Sequence, residues 1–526
     1  MNRIVAVCAV SLMFCVQTSR LAAQEPDPNK DTKPAADAKA GGESKPPEPN
    51  PPKEETFVTD HTTHIGGQAI SYKATASTTL LKDDKGEPTA LIYSTAYTRS
   101  DVKDFSQRPV AFVYNGGPGS SSIWLHMGAF GPRRVVNSNA AFTPPAPYKL
   151  EDNANSLLDK ADLVFIDPVG TGFSHAVGKA QNKDFWGVDQ DVKMFAQFIN
   201  IYTSRNNRWN SPKFLIGESY GTFRSVALGN YLQSHDGMYI NGIVLISSVL
   251  NLETIVFAPG DDISYVLYLP SYAAAAAYQK ALKEPPSDLD AFLSDARKFA
   301  TTEYADALMK GSHLTDAEKS DVAKKLSHFT GLSEDYLVKA NLRVNLAQFN
   351  VELGRARGLT TGRYDARYTM PTYDLLTEYA EEDPSYVAVR GAFTAAINSY
   401  VREDLKVTID RSYEVLNEDV SRSWDWKHHG PGDSGVFPGS ANVGGDLIQA
   451  LQTNPHLHVQ VENGFYDMAT PFFAAEYTMD HLFLPGNLRS NIQLEYYGAG
   501  HMMYLHDEDL AKLKSNIAAL IDAGSK

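Results

Sequence analysis

Cysteine is nearly absent from this chain of 526 residues, which contains only Cys8 and Cys15. Both lie in a short apolar stretch, Ile4 to Val16, that follows an arginine near the start of the chain. A positive start, an apolar stretch and the small-residue exit Leu21-Ala-Ala23 are typical of a secretory signal peptide. We therefore predict that residues 1–23 are removed and that the product is secreted or periplasmic. Without them, the protein has neither disulfides nor thiol chemistry.

The sequence also lacks a basic cluster and a long hydrophobic run. The apolar stretch near the N-terminus is too short to cross a bilayer as a helix, so no integral membrane association is predicted. The net charge of −15 argues against nucleic acid or an anionic membrane as the main partner. Residues 24–56 contain eight prolines and no aromatic residue, and they are predicted to form a disordered linker. The alternative is a specific binding arm.

The motif Gly217-Glu-Ser-Tyr-Gly221 directly follows the apolar run Lys213-Phe-Leu-Ile216. Gly-x-Ser-x-Gly between a strand and a helix is typical of a nucleophile elbow, a sharp turn that presents its serine above the sheet edge. Residues Thr222 to Leu232 supply the expected helical pattern. We therefore predict that Ser219 is a catalytic nucleophile. The alternative is a structural serine in a turn.

Two later strand-like segments lead to residues that complete a catalytic triad. His458-Val-Gln-Val-Glu462 precedes Asp467, and Ile492-Gln-Leu-Glu-Tyr-Tyr497 precedes His501. The chain order Ser, Asp, His is that of an α/β-hydrolase. Because a neutral hydroxyl is a poor nucleophile, the serine needs a base to take its proton. We predict His501 as this base and Asp467 as the residue that orients it, with Asp480 as the alternative.

A glycine-rich segment, Asn115-Gly-Gly-Pro-Gly-Ser-Ser-Ser122, follows the apolar run Val110–Tyr114. Glycine lets backbone N–H groups approach a ligand closely, and an acyl-transfer serine needs such donors for the developing oxyanion. We predict that the N–H groups of Gly117 and Tyr220 form the oxyanion hole. Tyr220 is chosen because the residue after the nucleophile donates in such elbows.

Taken in order, these segments resemble the serine carboxypeptidases, a family of α/β-hydrolases. The resemblance extends over about residues 90–510 and implies that Asn115 and Glu218 bind the C-terminal carboxylate of a peptide. The other matching motifs are Gly131-Pro132, Phe165-Ile-Asp-Pro-Val-Gly-Thr-Gly-Phe-Ser174, Tyr466-Asp467 and Gly500-His-Met502. Three positions depart from the family pattern: Val113 replaces a tryptophan, Ser120 a cysteine, and Ala129 a glutamate of the acidic hydrogen-bond network.

The chemistry of the implied carboxylate site can be argued from its residue types. A glutamate binds a carboxylate only when one of the two groups holds a proton. Protonated Glu218 is a donor, and the Asn115 amide is a second donor. Such a site works best below neutral pH, whereas His501 must be neutral to act as a base. These opposed demands predict a bell-shaped pH profile.

The predicted fold is the α/β-hydrolase fold, a mostly parallel central sheet with helices on both faces. Its strands are predicted at six near-continuous apolar runs, as expected for a parallel sheet covered on both sides. They are Val110–Tyr114, Leu163–Ile166, Phe214–Ile216, Ile243–Ser247, His458–Val461 and Ile492–Tyr497. Residues 57–254 and 431–526 are predicted to form the two parts of this core, which opens with an antiparallel hairpin between Phe57 and Thr98. Residues 255–430 are predicted to be an inserted helical cap, with Ser287 as the N-cap of one helix.

No cofactor and no metal are predicted. His456 and His458, and the pair His428-His429, have the spacing of metal ligands, but no third or fourth ligand lies nearby in the sequence. Asp167 and Asp189 are interpreted as structural residues.

The leading functional prediction is a secreted serine carboxypeptidase that removes single residues from the C-termini of peptides. An esterase or acyltransferase on the same scaffold would use the same triad, so the motifs do not separate these activities. Asn115 and Glu218 favour the peptidase, because an ester without a free carboxylate has no use for them. A non-enzymatic binding protein is a third possibility, disfavoured by the complete triad. Peptides are the expected partners, and the sequence leaves the oligomeric state open.

Overall fold

The computed structural model describes residues 52–432 and 441–526. The predicted signal peptide and most of the predicted linker lie outside these residues, as does the segment 433–440. Residues 53–526 form one unit, in which ten strands make a single sheet. The strands are β1 (Thr56–Ile65), β2 (Gln68–Lys82), β3 (Pro88–Arg99), β4 (Val110–Tyr114), β5 (Arg133–Val135), β6 (Leu150–Asp152), β7 (Asp162–Ile166), β8 (His175–Ala176), β9 (Lys213–Glu218), β10 (Gly242–Ile246), β11 (Leu359–Thr361), β12 (Thr369–Pro371), β13 (His458–Gly464) and β14 (Ile492–Tyr497).

Six neighbouring strands run parallel, in the order β7-β4-β9-β10-β13-β14. These six strands are the apolar runs predicted from the sequence. Leu245 of β10 lies opposite Gly217 of β9 and Val461 of β13. This register places the carboxyl ends of the parallel strands at one edge of the sheet, where the loops that follow β9, β13 and β14 meet.

The opening of the fold is a three-stranded antiparallel meander, where the sequence predicted a single hairpin. β1 pairs with β2 along its whole length, and β3 pairs with both β2 and β7, so the meander extends the parallel sheet. β1 begins at Thr56, the last residue of the predicted linker. Gly66 and Gly67 connect β1 to β2 with positive φ angles of 57° and 78°, a conformation that glycine adopts without strain.

Helices cover both faces of the sheet. Ala111 and Val113 of β4 share an apolar core with Leu513 of α14, while Val110 and Phe112 share another core with α1 and α2. Alternate side chains of one strand thus pack against different helices. The helices are α1 (Val188–Arg205), α2 (Tyr220–Ser234), α3 (Ile263–Tyr278), α4 (Leu289–Phe299), α5 (Ala305–Lys310), α6 (Asp316–Thr330), α7 (Glu334–Lys339), α8 (Leu346–Arg355), α9 (Pro384–Glu403), α10 (Glu418–Arg422), α11 (Gly444–Thr453), α12 (Phe472–Asp480), α13 (Gly486–Arg489) and α14 (Asp507–Gly524).

A helical insertion separates β10 from β13. Its first part, from α3 to α8, shares an apolar core with residues that follow β13, among them Met468 and Phe472. Helix α9 packs instead in the core that contains Ala111 and Val113 of β4. The predicted N-cap Ser287 is wrong by one residue: Asp288 caps α4 by accepting a hydrogen bond of 3.1 Å from the N–H of Ala291. The role of this insertion as a cap stays a prediction. None of the helices in the described ranges is both long enough and apolar enough to cross a membrane.

Candidate active site

Ser219 occupies the single residue between β9 and α2. Its φ of 60° and ψ of −129° are unfavourable for a residue with a side chain, which is the strain expected of a nucleophile elbow. The two glycines that flank Ser219 pass close to each other, because a Cβ at Gly217 would lie 2.1 Å from the carbonyl oxygen of Gly221. The backbone N–H of Ser219 donates to the carbonyl of Ile246 over 3.0 Å. The geometry therefore fixes the turn while the Ser219 side chain stays half-buried.

Asp467 and His501 meet at the carboxyl ends of β13 and β14. Both are almost fully buried, with 1% and 2% of their surface exposed. His501 Nδ1 lies 2.8 Å from Asp467 Oδ2. The other donors to Asp467 come from the next turn: the N–H groups of Ala469 and Thr470 donate to Oδ1, and the Thr470 hydroxyl donates to Oδ2. Asp467 is therefore held rigidly, and it fixes the imidazole through Nδ1.

The charge balance around His501 favours its protonated form. Burial by itself lowers the pKa of His501, but the charge and hydrogen bond of Asp467, together with the charge of Glu218, outweigh it and raise the pKa above the usual value. With Nδ1 used by Asp467, Nε2 is the nitrogen left for a serine. Within the described ranges, the Ser219 hydroxyl makes no hydrogen bond to a protein group, which leaves it available to a substrate.

A segment of the insertion contacts both loops of this pair. The carbonyl of Tyr364 accepts a hydrogen bond of 2.6 Å from the N–H of His501, and the carbonyl of Arg363 accepts one of 3.1 Å from Met468. The Tyr364 ring lies 5.1 Å from the His501 ring, centroid to centroid. No sequence motif marks this segment, because its contacts are made largely by backbone groups.

An ion pair in the same segment holds the backbone of the loop that leads to His501. Arg367 and Asp365 are buried and paired at 2.7 Å. Asp365 Oδ2 also accepts a hydrogen bond from the N–H of Gly500, and Arg367 donates to the carbonyl of Gly498. Two charged side chains thus hold the backbone that leads into His501.

The predicted oxyanion donors lie at the start of α2 and in the glycine-rich loop. A Cβ at Gly116 would lie 2.4 Å from the backbone nitrogen of Tyr220, so the two backbones pass very close to each other. Within the described ranges, neither Gly117 N–H nor Tyr220 N–H donates to a protein acceptor. Tyr220 is the first residue of a 15-residue helix, whose N-terminus favours negative charge. Two unused donors are therefore available beside Ser219.

Asn115 and Glu218 form a buried hydrogen-bonded pair. Asn115 Nδ2 donates to Glu218 Oε2 over 3.0 Å, and Asn115 Oδ1 accepts from the N–H of Leu125, which sets the orientation of the amide. A third member, Tyr504, donates its hydroxyl to the same Oε2 over 2.8 Å. The contact of Tyr504 with Glu218 was not predicted from the sequence. Tyr504 follows His501 by three residues and has the pattern of an ordinary apolar core residue.

Burial makes Glu218 an unusually weak acid. Only 3% of the Glu218 surface is exposed. This burial raises the pKa of Glu218 to about 7, although the charge of His501 and the hydrogen bonds from Tyr504 and Asn115 act to lower it. At mildly acidic pH this carboxyl group therefore holds a proton. It is then a donor beside the nucleophile.

The three departures from the family pattern are accommodated by packing and local hydrogen bonds. Val113 is buried within β4. The Ser120 hydroxyl donates to the carbonyl of Ser121 and accepts from the indole of Trp124. Ala129 is buried in a π-helical turn, so no carboxyl group from this position joins Glu218.

The remaining candidates have partners elsewhere. Asp167 is buried and accepts hydrogen bonds from Ser122 N–H and the Tyr413 hydroxyl, and burial raises its pKa to about 6. His428 lies between Asp189 and Asp446, 2.7 and 2.9 Å away.

Burial acts to lower the pKa of His428, but the carboxylates of Asp189 and Asp446 outweigh it and raise this pKa to about 9. In residues 52–432 and 441–526, no group of three or more His, Cys, Asp or Glu side chains is arranged to hold a metal ion. His456 and His458 therefore belong to no such group. The alternative acid Asp480 lies at the end of α12, near Arg489.

Comparison with known proteins finds similarity to serine carboxypeptidases over one segment of the chain. The model of the serine carboxypeptidase family matches residues 78–256. Serine carboxypeptidase-like 51 of Arabidopsis thaliana is 27% identical over 165 residues, which are 30% of this chain and 33% of that protein. The pheromone-processing carboxypeptidase of Saccharomyces cerevisiae is 33% identical over 147 residues, 27% of this chain and 19% of that protein. The chain thus matches a third or less of the length of these relatives.

A solved structure extends the likeness over most of the chain. The crystal structure of a prohormone-processing carboxypeptidase from Saccharomyces cerevisiae aligns with a TM-score of 0.53 at 19% identity, covering 85% of this chain and 92% of that chain. This likeness confirms the predicted α/β-hydrolase fold. The family model and the curated relatives support the resemblance to serine carboxypeptidases, and the family match ends where the helical insertion begins.

Proposed function

We propose that this protein is a serine-type carboxypeptidase that releases C-terminal residues from peptides. The observation that carries the proposal is the buried, hydrogen-bonded group of Asn115, Glu218 and Tyr504, in which Glu218 directly precedes Ser219 in the sequence. An esterase acting on neutral esters has no use for a protonated carboxyl group and an amide at this position. The similar proteins of Arabidopsis thaliana and Saccharomyces cerevisiae are carboxypeptidases, which supports the same class of substrate.

The proposed reaction proceeds through an acyl-enzyme. His501 Nε2 takes the proton of Ser219 as its Oγ attacks the carbonyl carbon of the last peptide bond. The N–H groups of Gly117 and Tyr220 stabilise the oxyanion that forms. His501 then gives the proton to the leaving amine, and the C-terminal amino acid departs. A water, activated by His501 in the same way, hydrolyses the ester and restores Ser219.

Glu218 and Asn115 are proposed to bind the terminal carboxylate of the peptide. Protonated Glu218 donates one hydrogen bond to it, and the second Nδ2 hydrogen of Asn115 donates another. Tyr504 holds Glu218 in place through Oε2. A substrate with a free C-terminus thus gains hydrogen bonds that an amidated peptide cannot form in the same way.

The pH dependence follows from two groups that need opposite states. Activity rises with pH as His501 loses its proton, and the raised pKa of His501 moves this limb upward from the usual position. Activity on free-acid peptides falls as Glu218 ionises around pH 7. Because the charge of His501 affects the ionisation of Glu218 and the reverse, the acidic and alkaline limbs of the pH profile report the apparent pKa values of the coupled pair. A narrow bell-shaped profile of activity against pH is expected.

The most direct experiment compares one peptide as its free acid and as its C-terminal amide. Mass spectrometry after incubation with the wild-type protein should detect release of the last residue from the free acid first, most clearly at acidic pH. Ser219→Ala is the matched control and should release nothing. Equal cleavage of acid and amide at every pH would reject the carboxypeptidase in favour of the esterase or an endo-acting peptidase.

We also propose export of the protein with loss of residues 1–23. The proposal is supported by the charged start, the apolar stretch and the small-residue exit in the sequence. N-terminal sequencing of the exported protein should begin near Gln24. Exported protein that retains Met1 would contradict this.

A further inference from the structure

Arg363 differs in its partners from the buried arginines in the described part of the chain. Arg108 and Arg208 pair with Asp162, Arg224 with Asp191, and Arg367 with Asp365. The guanidinium group of Arg363 is half-buried, yet it has no carboxylate within ion-pair distance in residues 52–432 and 441–526. Burial acts to lower the pKa of Arg363, but the charges of neighbouring groups, Asp383 and Asp467 among them, outweigh it and keep the guanidinium charged. The paired hydrogen bonds that a guanidinium can give to a carboxylate are nevertheless unused, so an external carboxylate can take them.

The position of Arg363 is set by its contacts with the candidate active site. Its carbonyl accepts the N–H of Met468, next to Asp467, and its guanidinium carbon lies 5.2 Å from the centre of the Tyr364 ring. That ring packs against His501. Arg363 is therefore separated from the imidazole by one aromatic side chain.

The nearest carboxylates are already occupied. Asp467 accepts hydrogen bonds from His501, from Thr470 and from backbone N–H groups of the following turn. Asp383 caps α9 and accepts hydrogen bonds from the backbone N–H groups of Arg363 and Tyr364. Neither carboxylate forms an ion pair with the Arg363 side chain. Its guanidinium interacts with the Tyr364 side chain and has donors left for an external group.

We propose that Arg363 binds a carboxylate of the peptide substrate. This inference rests on the proposed carboxypeptidase function and specifies its substrates. The planar guanidinium matches a carboxylate with two parallel hydrogen bonds. The ligand is either the side chain of a Glu or Asp next to the cleaved bond or the terminal carboxylate itself, and both present the same chemistry to Arg363. The protein would then favour acidic peptides in spite of its own net negative charge.

A set of matched peptides separates the two sources of the carboxylate. Peptides that differ only in Glu or Gln, at the last or the penultimate position, are each made as free acids and as amides. Binding is measured by calorimetry in the Ser219→Ala background, with Arg363 intact or changed to Gln. We use ratios between paired peptides, because any change in the His501 environment affects both members of a pair equally.

Loss of Arg363 should reduce one of two ratios by roughly 10- to 150-fold, the range for a hydrogen bond to a charged group. A reduced Glu-to-Gln ratio assigns Arg363 to an acidic side chain, and a reduced acid-to-amide ratio assigns it to the C-terminus. Arg363→Lys should restore part of the ratio, and Arg363→Glu should reverse it toward a Lys-containing peptide. Arg489→Gln, a more exposed arginine paired with Asp480, is the control and should leave both ratios unchanged.

The inference is overturned if both ratios change less than twofold in Arg363→Gln and Arg363→Glu. Its failure is distinguishable from failure of the proposed function. If the wild-type protein cleaves none of the peptides but the Ser219→Ala protein binds acidic ones through Arg363, the proposed function fails and the carboxylate site stands. If cleavage occurs without any effect of Arg363 on the ratios, the carboxypeptidase stands and the role of Arg363 fails.

Discussion

The two sides of the candidate site each contain a buried carboxyl group, and their surroundings differ. Asp467 has four hydrogen-bonding contacts, with two backbone N–H groups, the Thr470 hydroxyl and His501. Glu218 accepts two, both at Oε2, from the neutral groups of Asn115 and Tyr504. Donors replace water around a charge, and Glu218 has few of them, so burial raises its pKa to about 7 and it can hold a proton at mildly acidic pH. The same functional group can thus orient a base on one side and donate to a substrate on the other.

The largest effect is expected on the Asp467 side. Asp467→Asn keeps the shape of the side chain but removes the acceptor that fixes the imidazole, so kcat should fall by about 10⁴-fold. Ser219→Ala should cost at least as much and should also abolish labelling by a fluorophosphonate probe. Asp480→Asn is the control for a surface acid. A loss below tenfold in Asp467→Asn would show that the imidazole is oriented by another group.

An intermediate effect is expected on the Glu218 side. Glu218→Ala should raise KM for free-acid peptides by roughly 10- to 150-fold, the range for one charge-assisted hydrogen bond, with a smaller loss on esters. Glu218→Gln keeps a donor that cannot ionise, so its activity should persist above pH 7, where the wild type declines. The measurement is kcat/KM against pH for both variants. An alkaline limb that stays in place in Glu218→Gln would remove Glu218 as its origin.

The ion pair under the His501 loop offers a test that combines stability with catalysis. Asp365→Asn leaves Arg367 buried without a counter-charge, which should lower the free energy of unfolding by about 3–5 kcal/mol. Because the Gly500 backbone also loses a charged acceptor, kcat should fall, on the order of tenfold or more for a displaced catalytic group. Denaturant unfolding and kinetics should be measured together. Full activity in a strongly destabilised variant would indicate that the pair supports the fold and not the position of His501.

The smallest effect is expected at Tyr504. Its hydrogen bond stabilises the ionised form of Glu218 and lowers the Glu218 pKa. Tyr504→Phe removes this donor, so the pKa of Glu218 should rise by up to about one unit, equivalent to about 1.4 kcal/mol. The decline in activity on free-acid peptides should accordingly move to higher pH. A shift to lower pH would mean that Tyr504 acts on Glu218 mainly through its position.

Residues in local motifs were predictable from the sequence. The elbow around Ser219 follows from two glycines, a preceding apolar run and a following helix, all within about twenty residues. The six parallel strands were predicted because burial on both faces requires continuous apolar runs. The opening meander was predicted less well, since its first strand alternates exposed and half-buried residues and begins inside a segment interpreted as a linker.

The sequence by itself determined the local groups on which the proposed chemistry depends: a serine in an elbow, an aspartate and a histidine after two strands, and a glycine-rich loop. These choices are local, because each depends on a turn or a strand and its immediate neighbours. Only the tertiary structure brings Tyr504 to Glu218, Tyr364 to His501, and an unpaired Arg363 beside them. The contacts of Tyr504 with Glu218, of Tyr364 with His501 and of Arg363 with Met468 join residues more than 100 positions apart. Burial of Glu218 raises its pKa, and no sequence pattern encodes that burial.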